Sequence, residues 1–117
     1  MEKLNCNNFD RRQDNSFFVP GERSSYLFNS QISGIDSSDL CLLIGSNPKI
    51  EASILNSRIR KRYLNSDSFI IGYIGEDIQL NYKFQNLGES PRILKQILDG
   101  KHEFSKHLKK SKKLIGL

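Results

Sequence analysis

The residues of this 117-residue chain that could bind a metal or carry electrons are few and far apart. Cys6 and Cys41 are its two cysteines, whereas an iron–sulfur cluster requires about four closely spaced thiolates, or thiolates and histidines together. The same count argues against a zinc site or a CxxC redox pair. Cys41 also stands inside an apolar run, where a free cysteine behaves as a small hydrophobic residue. We therefore predict no metal or redox centre in this chain, unless another chain lends ligands.

Two histidines and two carboxylates are the other candidates for chemistry. His102 and His107 occur in a lysine-rich segment, at a spacing that does not place both on one face of a helix. Asp36 and Asp39 flank two serines, which is typical of a turn. The sequence has neither a GxxxxGK[ST] nor a GxGxxG motif, so it gives no case for direct binding of ATP or NADH. We predict no catalytic residue.

A strand, a polar turn and a helix follow one another between residues 39 and 64. The apolar run at 40–44 is typical of a strand buried on both faces. Gly45 and Ser46 end this strand, Asn47 is a ready helix cap, and Pro48 suits a first helical turn. Because ligands of parallel α/β sheets bind outside the carboxyl ends of the strands, a binding site in this fold would include this turn.

The remaining elements are consistent with a small Rossmann-like α/β unit with a parallel sheet. After a lead-in at 1–22, the pattern predicts helical turns at 23–31, a helix at 49–64, a second parallel strand at 69–74 and a short strand or extended loop at 79–84. The next predicted helix begins at Ser90-Pro91 and ends at Gly100, and its buried side consists of Ile93, Leu94, Ile97 and Leu98. A short helix around Phe104 and Leu108 and a third parallel strand at 113–117 follow.

The helix predicted at 49–64 carries two apolar stripes. Ala52, Leu55, Ile59 and Tyr63 recur at offsets of three and four, and this stripe should pack on the sheet. A second, weaker stripe on the opposite side requires another cover, which this chain hardly offers; it consists of Ile50, Ile54 and Leu64. The domain from 23 to 117 is therefore expected to be part of a larger domain.

The net charge of +5 is distributed unevenly. Residues 1–57 carry five Lys or Arg against seven Asp or Glu, a net charge of −2, and residues 58–117 carry thirteen against six, or +7. The basic residues cluster at 58–62 and 106–113 without the interleaved aromatic residues that stack on nucleic-acid bases. We therefore expect a solvated or partner-facing surface and no nucleic acid.

No apolar run approaches the roughly 20 residues that span a bilayer. The first residues have neither a secretory apolar core nor an Arg-rich presequence. The abundance of Asn, Ile, Lys and Ser is typical of an AT-rich genome, and we expect an organelle-encoded protein or, alternatively, a bacterial one.

Several spaced segments resemble one protein family, the large iron–sulfur subunit of respiratory complex I. The similarity lies in the C-terminal half of that subunit, which is related to molybdopterin oxidoreductases, and it covers nearly the whole chain from about Cys6 onward. The matching segments are Leu42 to Ala52, Leu55 to Lys61, Arg23 to Ser30, Ile32 to Ile35, Tyr82, Asn86 to Pro91 and His102 to Ser105.

The resemblance also identifies the turn after the first strand. In the related molybdenum enzymes this turn approaches the pterin dinucleotide, and the matching positions here are Gly45, Ser46, Asn47 and Pro48. Those enzymes usually close the second strand with an Asp-Pro-Arg-like segment that holds the cofactor, whereas Ile74-Gly75-Glu76 stands there in this chain. We expect a vestigial turn without a cofactor.

The resemblance implies a non-catalytic, structural part of the peripheral arm that supports electron transfer from NADH to quinone. The iron–sulfur clusters and FMN would lie elsewhere in the complex. The implied partners are other peripheral-arm subunits, above all the cluster-bearing N-terminal part of the same subunit. The implied location is the matrix side of the mitochondrial inner membrane or, in a bacterium, the cytoplasmic side of the membrane.

Two alternatives belong to other classes. The chain could be a cofactor-binding module of a true molybdopterin oxidoreductase, with Gly45 to Pro48 as the contact. It could also be a small basic nucleic-acid-binding protein that uses residues 58–62 and 106–113, whose affinity would fall steeply with salt.

Overall fold

A computed structural model describes residues 31–117, together with Gly21, Glu22 and Leu27. Its strands and helices alternate in the manner of an α/β protein. The helical turns predicted at 23–31 and the lead-in at 1–22 lie largely outside the described residues. The elements are a 3-10 helix at Ile32–Ser37, β1 at Leu40–Ile44, α1 at Pro48–Glu51, α2 at Ser53–Leu64, β2 at Ile70–Ile74, β3 at Gln85–Gly88, α3 at Arg92–Leu98, α4 at Ser105–Lys110 and β4 at Leu114–Gly116.

The four strands form one parallel sheet in the order β3-β2-β1-β4. Leu40 of β1 lies opposite Ile70 on one side and Leu114 on the other. This arrangement confirms the predicted α/β parallel-sheet class, and it confirms the three parallel strands predicted at 40–44, 69–74 and 113–117 to within one or two residues.

Strand β1 is buried on both faces, as its continuous apolar run predicts. Leu40 and Leu42 belong to one hydrophobic cluster, together with Phe104. Cys41 and Leu43 belong to the other cluster, together with Ile59 of α2. The helices therefore cover opposite faces of the sheet, with α2 on the Cys41 face and α3 and α4 on the Leu40 face.

The segment at 79–84 bends at Asn81 and Tyr82 and does not pair in the sheet, so it is a loop and not a strand. Leu80 and Phe84 pack against the Cys41 face, and Tyr82 is buried there. The alternation of apolar and polar residues at 79–84 thus predicts which side chains face the core. The backbone of this part of the chain pairs with β2 only from Gln85 onward.

Two helices differ from the prediction. The helix predicted at 49–64 is interrupted at Ala52, whose φ of −147° is not helical. In α3, Ile97 is buried as predicted, but Leu98 is 85% exposed. Adjacent residues of a helix point about 100° apart, so a helix of seven residues that buries Ile97 against one face of a sheet turns Leu98 away from it. Gly100 ends the segment with a φ of +75°, as predicted.

Gly72 of β2 allows Phe104 to lie directly on the sheet. A Cβ atom at Gly72 would lie 2.5 Å from the Phe104 ring, whereas a Cβ atom at Gly116 of β4 would meet nothing within 4 Å. Close packing in the core tolerates no such overlap. We therefore expect Gly72→Ala to lower the free energy of unfolding by about 1–3 kcal/mol, measured by urea denaturation followed by circular dichroism.

Gly116→Ala is the matched control, because it makes the same substitution on a strand at a position where the added methyl group meets no other atom. We expect it to change the free energy of unfolding by less than about 1 kcal/mol. Equal effects of the two substitutions would show that Phe104 does not press on Gly72.

Candidate functional site at the carboxyl ends of the strands

Glycines with positive φ end three neighbouring strands at the same edge of the sheet. Gly45 follows β1 with a φ of 63°, Gly75 follows β2 with 152°, and Gly88 closes β3 with 120°. Backbone bonds join these ends, since the Gly45 N–H donates to Ile74 O at 2.7 Å and the Gly75 N–H donates to Gly88 O at 3.0 Å. The predicted turn at Gly45 therefore lies beside the ends of β1 and β2.

This edge includes the point where the strand order reverses. The chain passes from β1 to β2 in one direction across the sheet and from β3 to β4 in the other, so β1 and β4 are the neighbours at the reversal. Open α/β sheets bind their ligands outside the carboxyl ends of the strands at such a position. By topology, the turn from Gly45 to Pro48 is thus the candidate site of this fold.

Asn47 caps the helix after the turn, as predicted. Its Oδ1 accepts a hydrogen bond from the Lys49 N–H at 3.2 Å. Its own N–H donates to Glu51 Oε1 at 3.2 Å, an arrangement similar to a capping box. Pro48 is the first residue of α1 and is buried. These contacts satisfy backbone groups that the start of a helix leaves without partners.

Ser46 is the member of the turn with an unsatisfied polar atom. Its Oγ is buried and has no hydrogen-bond partner within the part of the chain that the structure describes. A buried hydroxyl without a partner costs free energy, and such an atom is the one feature of this turn that favours a ligand.

Tyr73 packs against Gly75 at the end of β2, a contact that sequence reasoning did not identify. A Cβ atom placed on Gly75 would lie 2.6 Å from Tyr73 Oη and 3.4 Å from Gly45 Cα. The ring is buried and meets Phe84 edge-on, with 5.7 Å between the ring centroids. The phenol hydroxyl thus lies against Gly75, whereas a Cβ atom at Gly45 itself would meet nothing within 4 Å.

The electrostatic field at Tyr73 is negative. Desolvation is the largest cause that raises the pKa of Tyr73, and the charges of nearby carboxylates raise it further. These carboxylates follow the strands or stand on α1, and they are Glu76, Glu51, Asp77 and Glu89. The charges of these four carboxylates disfavour an anionic group close to Tyr73.

Cys41 is enclosed in the core and is not poised for reaction. Burial raises the pKa of its thiol to about 12, and the thiolate is the form that ligates metals and attacks electrophiles. No group of three or more His, Cys, Asp or Glu that could hold a metal ion occurs among the described residues. Cys6 lies outside them.

The other predicted candidates have structural contacts. His102 Nδ1 accepts a hydrogen bond from the Phe104 N–H at 3.1 Å, and the His107 ring packs 5.8 Å from that of Phe104. Asp36 pairs with Arg58 at 2.9 Å. Asp39 Oδ2 accepts from the Lys112 N–H at 3.2 Å. The structure therefore does not bring the histidines and aspartates together.

The two basic clusters do not form one surface. Arg58 pairs with Asp36, while Arg62 donates from Nε to Ser38 O at 2.9 Å and lies 5.8 Å from the Phe69 ring centroid. The Arg58 and Arg62 side chains thus connect α2 to the 3-10 helix and the residue after it, and Arg62 also contacts the core residue Phe69. The lysines at 106–113 belong to α4 and to the segment between α4 and β4, and α4 packs on the opposite face of the sheet. The described residues also contain no helix that is long and apolar enough to cross a membrane.

Comparisons with known proteins match the whole chain. A family model described as Molybdopterin oxidoreductase matches residues 1–117. A subunit of the NADH-quinone oxidoreductase of Rickettsia conorii is 42% identical over 98% of this chain and 17% of the relative, and its counterpart in Rickettsia bellii is 39% identical over 96% and 16%. The NADH-ubiquinone oxidoreductase 75 kDa subunit of Reclinomonas americana is 42% identical over 91% of the chain and 15% of its own length. The chain therefore spans about a sixth of these relatives.

Removal of the Asn47 cap should destabilise the fold. Asn47→Ala loses the Oδ1 acceptor of the Lys49 N–H, and we expect the free energy of unfolding to fall by about 0.5–2 kcal/mol in urea denaturation. Asn81→Ala is the control, because Asn81 is exposed in the loop between β2 and β3. An equal loss in both variants would contradict the role of Asn47 as a cap.

The Cys41 thiol should be inert until the chain unfolds. In a Cys6→Ser variant at pH 8, a thiolate-specific reagent such as DTNB should label the folded protein at least about 100-fold more slowly than the urea-unfolded protein, because a thiol with a pKa of about 12 is almost wholly protonated at this pH. Labelling of the folded protein at the unfolded rate would mean that the core around β1 opens readily.

Proposed function

We propose that this chain, which belongs to the molybdopterin oxidoreductase family, is a non-catalytic structural part of a larger complex. That complex is NADH–quinone oxidoreductase, respiratory complex I, and the part belongs to its large peripheral-arm subunit. Relatives named as subunits of NADH-quinone or NADH-ubiquinone oxidoreductase support the proposal, since they match more than nine-tenths of the chain. In this role the chain supports electron transfer from NADH to quinone without carrying electrons.

The occupied space beside Gly75, at the carboxyl edge of the sheet, is the observation that carries the proposal. The cofactor implied by the family name is a pterin that carries phosphate in its dinucleotide form, and the turn from Gly45 to Pro48 is where it would approach. Tyr73 Oη occupies the space that a Cβ atom at Gly75 would need, and, after burial, the charges of four carboxylates raise the pKa of Tyr73. These residues do not fit an anionic cofactor, so we propose that the chain binds none and that FMN and the iron–sulfur clusters lie elsewhere in the complex.

The exposed apolar residues of α1 and α2 support a role in assembly. Ile50, Ile54 and Leu64 are all more than 60% exposed, as expected for a stripe that the chain itself does not cover. Contiguous surfaces of large exposed apolar side chains are typical of sites that meet other proteins, and we propose that these three residues contribute to one. We propose that the partners are peripheral-arm subunits, above all the cluster-bearing N-terminal part of the same subunit.

The proposed location follows from this assembly. It is the matrix side of the mitochondrial inner membrane or, in a bacterium, the cytoplasmic side of the membrane, where the peripheral arm would hold the chain without a span of its own.

A second candidate function is a cofactor-binding module of a true molybdopterin oxidoreductase. The buried Ser46 Oγ, which has no hydrogen-bond partner among the described residues, favours it. The Tyr73 hydroxyl beside Gly75 argues against it. Molybdenum and pterin analysis of the purified native assembly distinguishes the two functions, since a structural part would contain neither in stoichiometric amount.

Ser46→Ala in the assembled complex provides the sharper test. A structural turn loses only an unsatisfied hydroxyl, so we expect NADH oxidation per assembled complex to stay within about 20% of the wild-type rate. Gly72→Ala, which acts on core packing away from the turn, is the control for effects on assembly. A large fall in the rate at normal assembly would support the cofactor-binding function and contradict the structural one.

A further inference from the structure

The outer edge of β4 presents unpaired backbone groups. β4 pairs only with β1 among the described residues. The bonds toward β1 involve Lys113, whose carbonyl accepts from the Asp39 N–H at 3.0 Å, and Leu117, whose N–H donates to Leu42 O at 2.9 Å. Because alternate residues of a parallel strand bond to the same neighbour, Leu114 and Gly116 direct their N–H and C=O groups to the open edge.

One face of the sheet is also bare beside this edge. Leu114 lies opposite Leu40 and Gly116 lies opposite Leu42, so both belong to the face that α3 and α4 cover. Leu114 is nevertheless 48% exposed, and Ile44 on the same face is 40% exposed. A Cβ atom on Gly116 would meet nothing within 4 Å. The two helices thus cover β1 and β2 but leave a patch on this face near β4, which we call the bare patch and define as Ile44, Leu114 and Gly116.

The handedness of the crossovers determines which face of the sheet the connecting helix of a strand added at the open edge would cover. α2 joins β1 to β2 on the Cys41 face, and α3 and α4 join β3 to β4 on the Leu40 face while the chain moves in the opposite direction. Connections between parallel strands are right-handed in nearly all proteins. A further strand beyond β4 would continue the second direction, so its crossover helix would lie on the Leu40 face, over the bare patch.

We propose that a helix–strand unit from the remainder of the large subunit completes this sheet, with its strand parallel to β4 and its helix on the bare patch. The relatives are about six times as long as this chain, so they contain polypeptide that could supply such a unit. The identity of the partner rests on the proposed function, whereas the edge and the patch are properties of this fold alone.

Gly116→Pro tests the strand pairing selectively. Proline lacks the N–H that points outward, while the inward bonds of Lys113 and Leu117 remain, and proline is tolerated in edge strands. Gly116→Ala is the matched control, since it keeps the N–H and adds a methyl group in open space. Circular dichroism and urea denaturation of each variant verify that the chain folds as the wild type does.

The probe is the part of the Rickettsia conorii relative that lies outside the stretch matching this chain, co-expressed with the affinity-tagged chain. The matching stretch of the R. conorii protein, tagged in the same way, is the positive control. We expect the wild type and Gly116→Ala to recover the probe and Gly116→Pro to recover about tenfold less. Hydrogen exchange at the amides of Leu114 and Gly116 should slow by at least about tenfold in the complex, because an added strand protects them.

Equal recovery by all three variants, or unchanged exchange at Leu114 and Gly116, would overturn the proposal but leave the proposed function intact. No recovery by any variant, while the positive control binds, would contradict the proposed function as well. A dimer of this chain that Gly116→Pro dissociates would assign the edge to a second copy. Faster exchange at these amides after deletion of residues 1–20 would assign it to the chain's own N-terminal segment.

Discussion

The burial of β1 on both faces is the constraint on which the rest of the structure depends. Its side chains alternate between two hydrophobic clusters, with Leu40 and Leu42 in one and Cys41 and Leu43 in the other. A strand in this position cannot leave either face to water, so helices must lie above and below the sheet. Parallel neighbours then require crossovers, and two crossovers in opposite directions produce the strand reversal beside the turn at Gly45.

The same constraint explains how much could be predicted from the sequence. A continuous apolar run predicts a doubly buried strand, and a doubly buried strand predicts the fold class. The cap at Asn47 and the end of α3 at Gly100 were predictable because each depends on local chemistry: a side-chain acceptor for an orphan N–H, and a left-handed φ that glycine adopts without strain. Leu55, Ile59 and Tyr63 of the inner stripe pack as their spacing predicts.

The features that could not be predicted depend on contacts between segments that are distant in sequence. The packing of Tyr73 against Gly75 depends on the register of β2 against β1, which places Tyr73 opposite Leu43 and brings Gly75 next to Gly45. In the sequence Tyr73 is only one more apolar residue of a strand. The position of β3 is a similar case, because Leu80, Tyr82 and Phe84 alternate as a strand does, yet their side chains pack on the core while the backbone runs past the sheet. The prediction that Leu98 is buried was wrong, because the apolar pattern of a helix does not show how many of its side chains the sheet can cover.

The covered and uncovered surfaces of this unit differ in a way that relates to function. At the carboxyl edge, where a fold of this topology binds ligands, Tyr73 occupies the space beside Gly75, whereas a Cβ atom at Gly45 would meet nothing within 4 Å. Exposed apolar side chains stand on α1, α2 and β4, and β4 pairs with a single strand among the described residues. Burial of such side chains against another protein would add stability at roughly 25 cal/mol per Å² of apolar area removed from water. The exposed apolar residues and the edge of β4, rather than the turn at Gly45, are therefore the features on which the proposed role in assembly depends.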